Sequence, residues 1–550
     1  MRIALCQIDT TVGDFAGNAA KVVDFARRAQ AAGAELAVFP ELTTCGYPPE
    51  DLLLEPAFLA AHDVALRDLA AAMPAGIDAL VGCIAPNTVG GGRGARPLLN
   101  AVALLRGGSA GIVASKSLLP TYDVFDESRY FEPCREPEHD VVELGGRRVG
   151  IVICEDGWND ETFFESRIYR LDPVEAVVRA GAEIVVNLSA SPWSLGKEVL
   201  RRRMVEAAAR RHGVPMVYVN LVGGDVELQF DGGSLAVKAT GAACSPVFFA
   251  EAMQVVDTET AWTHRVEPNP TETMHHAAIV QGIGAYVRKF GFARAVLGLS
   301  GGIDSALTAA LAVDALGPEN VVGIAMPSTY SSDHSVDDAR ELAAKLGIEF
   351  RLLPIAGLQA AFADTLRPLF AGTEPGLAEE NLQSRMRGSL LMAYANKFGH
   401  LLLTTGNKSE AAIGYCTLYG DTNGALAPIA DLWKTEVWAL SRWLNRDGVR
   451  IPTNSIEKPP SAELRPDQLD TDSLPPYEIL DPVLRCLVEQ RRAVAATADA
   501  TGMPRAEVAM IYRRIQDSEF KRYQYPPTLR LSERCWRGRR MPVAHRFRDR

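Results

Sequence analysis

From Arg2 onward the chain alternates short apolar runs with segments whose apolar residues recur every three to four positions. RIALCQI, AELAVFP and ALVGCIA predict strands, with helical periods near 17 to 32 and 56 to 73 between them. LNAVALL, GIVASKS, RRVGIVIC, AEIVVNLS and PMVYVNLV follow, several with no long helix between them. So many strands, some joined directly, predict a layered α/β sandwich. The polar stretch 257–276, which holds Pro268 and Pro270, is the best boundary candidate. Beyond it RAVLGLS, VVGIAMP, EFRLLPI and HLLLTTG alternate with helical periods and predict a mostly parallel, doubly wound sheet. The expectation is two α/β domains, residues 1–260 and 261–550.

Composition narrows the class. A chain of 550 residues suits two or more domains with their own cores, and its net charge of −11 carries no basic stripe for nucleic acid. The tail RCWRGRRMPVAHRFRDR is locally basic and reads as solvated or subunit-facing. No run approaches the ~20 apolar residues of a membrane span, and MRIALCQIDTTVGDF is too short in its apolar part for a secretory signal. A cytoplasmic protein without membrane or nucleic-acid partners is expected. Nine cysteines stand singly with no CxxC pair, which argues against a disulfide frame or a zinc site. His275 and His276 form no HExxH and read as packing or solvated residues.

The most telling segment is GLSGGIDS, Gly298 to Ser305, between the strand RAVLG and the helical pattern 303–316. A strand entering a glycine turn and then a helix start leaves backbone N–H groups and the positive end of the helix dipole facing an anion. Gly301 and Gly302 admit the anion closely, Ser300 and Ser305 add hydroxyls, and Asp304 offers a carboxylate for the Mg²⁺ that accompanies a nucleotide. No Walker GxxxxGK[ST] is present. SGGIDS resembles the signature of the PP-loop ATP pyrophosphatases. That resemblance implies ATP bound by Gly298, Leu299, Ser300, Gly301, Gly302, Ile303, Asp304 and Ser305, and activation of a substrate oxygen by transfer of AMP.

A second set lies in the amino-terminal half. Glu41 follows AELAVFP, Lys116 follows GIVAS and Cys154 ends RRVGIVIC, so the three can converge at one end of a sheet. A nearby ammonium would favour a thiolate and an oxyanion, and a carboxylate can shuttle protons. FPEL, KSLLPTYDVFDE and ICEDGW resemble the three catalytic signatures of the nitrilase (carbon–nitrogen hydrolase) superfamily. The resemblance makes Cys154 the nucleophile, Glu41 the general base and Lys116 the third member, with Glu127 as the additional glutamate. NLSASPWSLGK is similar to the segment that holds glutamine in glutamine-using members, which adds Tyr122, Ser191 and Lys197 as amide-binding positions. Leu221 and Val226 depart from that pattern, standing where a polar side chain is more usual.

The stretches 379–397, 402–437, 458–481 and 520–526 resemble the glutamine-dependent NAD⁺ synthetase family, and the likeness spans nearly the whole chain. It implies an α-β-β-α nitrilase-like glutaminase joined to a Rossmann-like parallel sheet of the ATP pyrophosphatase type. The implied substrates are deamido-NAD⁺, ATP and L-glutamine. Thr405 is implied for ATP, Asn381, Glu410 and Lys521 for deamido-NAD⁺ or its adenylate, and Asp304 with Glu410 for Mg²⁺. Asp421 and Lys434 are further candidates. The resemblance also implies a homo-oligomer, a dimer through the synthetase domain that can extend to an octamer. Each residue has a plainer alternative: Asn381 as an N-cap, Glu410 paired with Lys408, Lys521 as a solvated charge in the basic tail.

Overall fold

The computed structural model describes residues 1–88, 94–166, 168–461, 463–465, 468–547 and 549. Ala462, Pro466 and Asp467 of the stretch 458–481 lie outside the described residues. Two compact units are present, Met1–Asn269 and Pro270–Arg550.

In the first unit one six-stranded sheet runs Ala252–Asp257, Arg2–Gln7, Leu36–Val38, Asp78–Pro86, Leu98–Arg106, Ser109–Ser115. The other runs Gly241–Ala242, Leu235–Lys238, Met216–Asn220, Ile184–Ser189, Arg147–Ile153, Val141–Leu144. Alternation gives each strand two faces. Ile3 and Leu5 meet Val149, Ile151 and Val186 of the other sheet in the central layer. Ala4 and Cys6 face the opposite way, onto Val22, Phe25 and Ala26 of the helix Phe15–Ala31. On the far side Val152 and Val185 pack on Val177 of Pro173–Arg179 and on Met204 and Val205 of Lys197–His212. This is the expected α-β-β-α sandwich. The boundary drawn at 260 lies just before Trp262, which is buried in the central layer.

The second unit holds a fully parallel sheet in the order Glu349–Leu352, Val321–Ala325, Ala295–Gly298, Leu401–Leu402. The chain steps one way from Ala295–Gly298 and later returns to its other side, so strand order reverses there. Ligands of doubly wound sheets sit beyond the carboxyl end of such a strand, where SGGIDS begins. The helix Ile303–Leu316 follows directly. His275 is buried in the helix Thr271–Lys289, and His276 lies 2.8 Å from Asp314, so both pack.

A second, helical core gathers Trp433, Leu480, Val483, Val508 and Trp536. Its membership corrects the reading of the basic tail. Trp536 is buried there and its Nε1 donates to the Ala430 carbonyl at 3.2 Å, while the Leu531 and Ser532 N–H groups donate to Asp431 at 2.8 and 2.7 Å. Burying the indole and satisfying the Asp431 carboxylate outweigh solvating the neighbouring arginines, so this part of the tail folds onto its own unit.

Candidate active sites

The first site forms at the carboxyl ends of three strands. Cys154 follows Arg147–Ile153 and opens the short turn Cys154–Gly157 with φ of +46°, a left-handed conformation that costs a non-glycine residue energy. Three hydrogen bonds of Asp156 hold that turn. Its carboxylate accepts from Ile153 N–H at 2.9 Å on one side, and from Ser117 and Leu118 N–H at 3.0 and 2.8 Å on the other. The Cys154 turn is thereby tied to the segment that carries Lys116. Asn187 accepts from the Cys154 N–H at 2.8 Å and fixes the other flank.

Lys116 is buried between two carboxylates. Its Nζ lies 2.7 Å from Glu41 Oε1 and 2.7 Å from Glu127 Oε2. Glu41 also accepts from Asn100 Nδ2 at 2.7 Å and from the Ala190 N–H at 2.9 Å, and Glu127 accepts from the Tyr47 hydroxyl at 3.0 Å. Burial alone would push the Lys116 ammonium down, but Glu127 and Glu41 hold it well above its ordinary value. Burial raises the Glu127 carboxyl to about 7 against the pull of Lys116. The Cys154 thiol is pushed well above its ordinary value, by burial first and by the Glu41 carboxylate second, with Lys116 pulling the other way. Lys116 does favour the thiolate, as expected, but two carboxylates and desolvation outweigh one ammonium. The sulfur needs a base at the moment of attack, and Glu41 is the carboxylate that most raises it.

Tyr122 is exposed, and its hydroxyl donates to both Glu155 oxygens at 2.9 and 3.0 Å. Tyr169 donates to Glu155 Oε1 at 3.2 Å. Lys197 opens its helix with Nζ 5.5 Å from the Trp158 ring centroid, and its charge helps to lower the Glu155 carboxyl, which burial raises. Ser191 is buried and its N–H donates to Asn220 Oδ1 at 2.9 Å.

The second site is a cavity of about 330 Å³ in the carboxyl-terminal unit. Gly298, Leu299, Ser300, Gly302, Ile303, Asp304 and Ser305 line it together with Thr405, Glu410, Asp421 and Lys434. Gly301 is needed beneath that surface: its φ is +78°, and a Cβ there would collide with the Ser335 carbonyl. Ser305 Oγ braces the turn by donating to Gly302 O at 3.0 Å. The buried Lys434 pairs with Asp304 Oδ2 and lies 4.0 Å from Glu410 Oε1. Asn407 joins the same two carboxylates. Its Nδ2 donates to Asp304 Oδ1 at 3.0 Å and its backbone N–H to Glu410 Oε2 at 3.2 Å. Burial and the facing Asp304 raise the Glu410 carboxyl well above its ordinary value. Two crowded carboxylates on one cavity wall are a donor pair that a hard cation relieves.

The pattern of two catalytic units extends to whole-chain relatives. Residues 2–252 match the carbon-nitrogen hydrolase family model and 275–525 the NAD synthase model. A glutamine-dependent NAD⁺ synthetase of Synechocystis sp. is 48% identical, with 99% of each chain covered. The chain belongs to this family. Another member, from Thermotoga maritima, is 40% identical over 100% of this chain and 99% of its own. The structure of the Acinetobacter baumannii glutamine-dependent NAD⁺ synthetase in complex with ADP superposes with a TM-score of 0.76, at 34% identity and 98% coverage of both chains. The enzyme is therefore a ligase, and the use of ATP belongs to its family.

Within this synthetase two expected positions stand off the cavity wall. Asn381 is the fifth residue of the helix Leu377–Phe398, not its cap, because Gly376 and Glu379 supply the cap; its Oδ1 accepts from the Thr417 hydroxyl at 2.8 Å. Lys521 donates to the carbonyls of Gly414 and Cys416 at 2.7 and 2.6 Å. Both brace the turn that presents Tyr415 and Cys416 to the cavity. Glu410 does not pair with Lys408, which is buried against Asp431 at 2.8 Å and Glu489 at 2.7 Å. Sequence reasoning missed Glu155, Asp156 and Tyr169, and gave Asn407 only a turn role. The first two adjoin Cys154 in ICEDGW and the last sits in GNKSE, so adjacency to a motif was the available signal; Tyr169 carried none.

Proposed function

We propose that the enzyme makes NAD⁺ from deamido-NAD⁺, ATP and L-glutamine, releasing AMP, pyrophosphate and glutamate, with the residues above in defined roles. In the amino-terminal unit Glu41 takes the Cys154 proton as the sulfur attacks the glutamine amide carbon. Lys116 stabilises the oxyanion while its charge stays balanced by Glu127. The same Glu41 proton goes to the leaving ammonia, and water then hydrolyses the thioester with Glu41 again as base. Glu155, oriented by Tyr122 and Tyr169, accepts the substrate α-ammonium. Lys197 and Ser191 take its carboxylate end.

In the carboxyl-terminal unit the Gly298–Ser305 turn and Thr405 hold ATP. The start of the helix Ile303–Leu316 faces the phosphates, and Arg387 and Lys458 of the cavity wall supply positive charge. Ile324, Met326 and Leu391 of the same wall suit a purine. Asp304 and Glu410 are the pair that would hold Mg²⁺, which neutralises phosphate charge when bound. Glu410 is assigned to deamido-NAD⁺ directly, and Asn381 and Lys521 to the turn they brace beside it; the nicotinate oxygen attacks the α-phosphorus, and ammonia then displaces AMP from the adenylate.

A homo-oligomer and a cytoplasmic setting complete the proposal. The stretch Leu352 to Leu377 leaves Leu352, Leu353, Phe362, Leu369, Phe370 and Leu377 exposed, an apolar surface suited to a second copy, and sedimentation measures it. All nine cysteines are free thiols, as a reducing compartment keeps them. The observation that carries the whole reading is the Glu41–Lys116–Glu127 charge cluster beside the strained Cys154 turn, in one chain with the SGGIDS cavity. The test supplies ATP, Mg²⁺ and deamido-NAD⁺ with either glutamine or ammonium and quantifies NAD⁺ and AMP. Wild type uses both nitrogen donors and Cys154→Ala only ammonium; equal use of glutamine by both proteins refutes the assignment.

A further inference from the structure

Beyond the Cys154 turn, the described residues at the two ends of the stretch 159–172 are tied down more firmly than a surface connection needs. Arg211, in the last turn of the helix Lys197–His212, donates from Nη1 to Asp160 Oδ1 at 2.8 Å and Asp172 Oδ2 at 3.0 Å, and from Nη2 to Glu175 Oε2 at 3.1 Å. One planar fork therefore joins the two ends of the segment. Asn159 closes it from within. Its Nδ2 donates to the carbonyls of Tyr169 and Leu171 at 2.9 and 2.6 Å, and the Tyr169 N–H returns to Asn159 Oδ1 at 3.3 Å. The backbone of Tyr169 is fixed on both sides, and the hydroxyl so placed is the one that meets Glu155.

We infer that Tyr169 is a specificity-determining residue of the amidase site, selecting an amide that carries an α-ammonium, and that Arg211 is the residue that positions it. This rests on the assignment of Glu155 to the glutamine α-ammonium. A carboxylate held by one phenol can swing; held by two, it offers its remaining lone pairs in one direction. An ammonium arriving there meets a pre-oriented acceptor, whereas an amide without that group gains nothing from it.

The test uses the full chain with glutamine and with glutaramate, which has the same amide and carboxylate but no α-ammonium. Both are normalised to ammonium-driven NAD⁺ formation, and alkylation of Cys154 by iodoacetamide reports an intact nucleophile turn. Tyr169→Phe is expected to raise the glutamine KM about tenfold with kcat nearly constant, and to leave the glutaramate KM where it is. Arg211→Lys, which keeps a charge and loses the fork, moves the glutamine KM the same way. Should it not fold, Asp172→Asn removes one leg of the fork instead, and a wild-type KM there overturns the role of Arg211. An unchanged glutamine KM in Tyr169→Phe, or an equal rise for both amides, overturns the inference. Glu155→Gln separates the two levels: if it leaves the glutamine KM unmoved, the assignment of Glu155 falls; if it raises KM and Tyr169→Phe does not, only the inference about Tyr169 falls.

Discussion

Lys116→Met removes the one positive charge between two buried carboxylates and keeps a side chain of similar length in the same space. In the wild type the Lys116, Glu41 and Glu127 side chains are 1%, 0% and 8% exposed, so solvent does little to screen what is left behind. Breaking a buried ion pair from one side costs about 3–5 kcal/mol, unless the orphaned charge can neutralise itself. Here it can, by binding a proton. The pH dependence of stability reports which happens. Glu127 already has a folded value raised to about 7 from an ordinary 4.5, so between those values the folded wild type holds a proton that the unfolded chain lacks. Its stability therefore falls as pH rises through that window, and the contribution levels off above about 7. Without Lys116 the same carboxyl stays protonated to higher pH, and the fall continues. Each pH unit above about 7 over which it stays protonated widens the gap between the variant and wild type by about 1.4 kcal/mol.

Urea unfolding of both proteins from pH 5 to 9 measures this, with ammonium-driven NAD⁺ formation as a reference for the synthetase unit. Glutamine-driven formation is expected to drop by about 10²–10³ with the loss of the oxyanion's cation. Adding Glu127→Gln to Lys116→Met removes the titrating group and with it the extra slope. Parallel stability curves for wild type and Lys116→Met, offset by a constant amount, would refute the argument that Glu127 carries the charge Lys116 balances.

Glu127→Gln alone should lessen the decline in wild-type stability between pH 4.5 and about 7 by about 1.4 kcal/mol per pH unit, the remainder belonging to Asp140, Asp156 and Asp421, whose carboxyls burial also raises; a decline of unchanged slope in a denaturant titration places the proton elsewhere. Gly301→Ala forces a side chain into the Ser335 carbonyl at a φ of +78°, so AMP and NAD⁺ formation should fall with either nitrogen donor; rescue by ammonium would show that the turn tolerates the Cβ. Lys408→Met leaves the buried Asp431 without its cation and Glu489 with Arg485, at 3.7 Å, as its ion-pair partner, and should cost the carboxyl-terminal unit about 3–5 kcal/mol in thermal or urea unfolding. A loss below about 1 kcal/mol there would mean that the tail segment at Leu531 and Ser532 satisfies Asp431 unaided.

The parts of this enzyme that sequence pattern predicts well are those with a period or a contiguous motif. The helix Ile303–Leu316 was legible to the residue because the glycine turn sets its start, the apolar period sets its face and Gly317 ends it. Glu41, Lys116 and Cys154 were legible as a group because each follows a strand and because FPEL, KSLLPTYDVFDE and ICEDGW resemble the nitrilase signatures. What stayed hidden is the set of side-chain hydrogen bonds that positions those groups. Asp156 bonds to N–H groups 38 and 39 residues away, and Tyr169 reaches Glu155 only because Asn159 and Arg211 shape the segment between. Such bonds follow no period and need no particular neighbour in the chain. The same holds for charge. A lysine read beside a cysteine suggests a thiolate, but the sign of the field depends on how many carboxylates the fold adds and how much water it removes. Here both additions raise the thiol, so the base becomes as necessary as the nucleophile. On the proposed mechanism the amidase rests with a protonated sulfur, and proton transfer to Glu41 is the step that arms it.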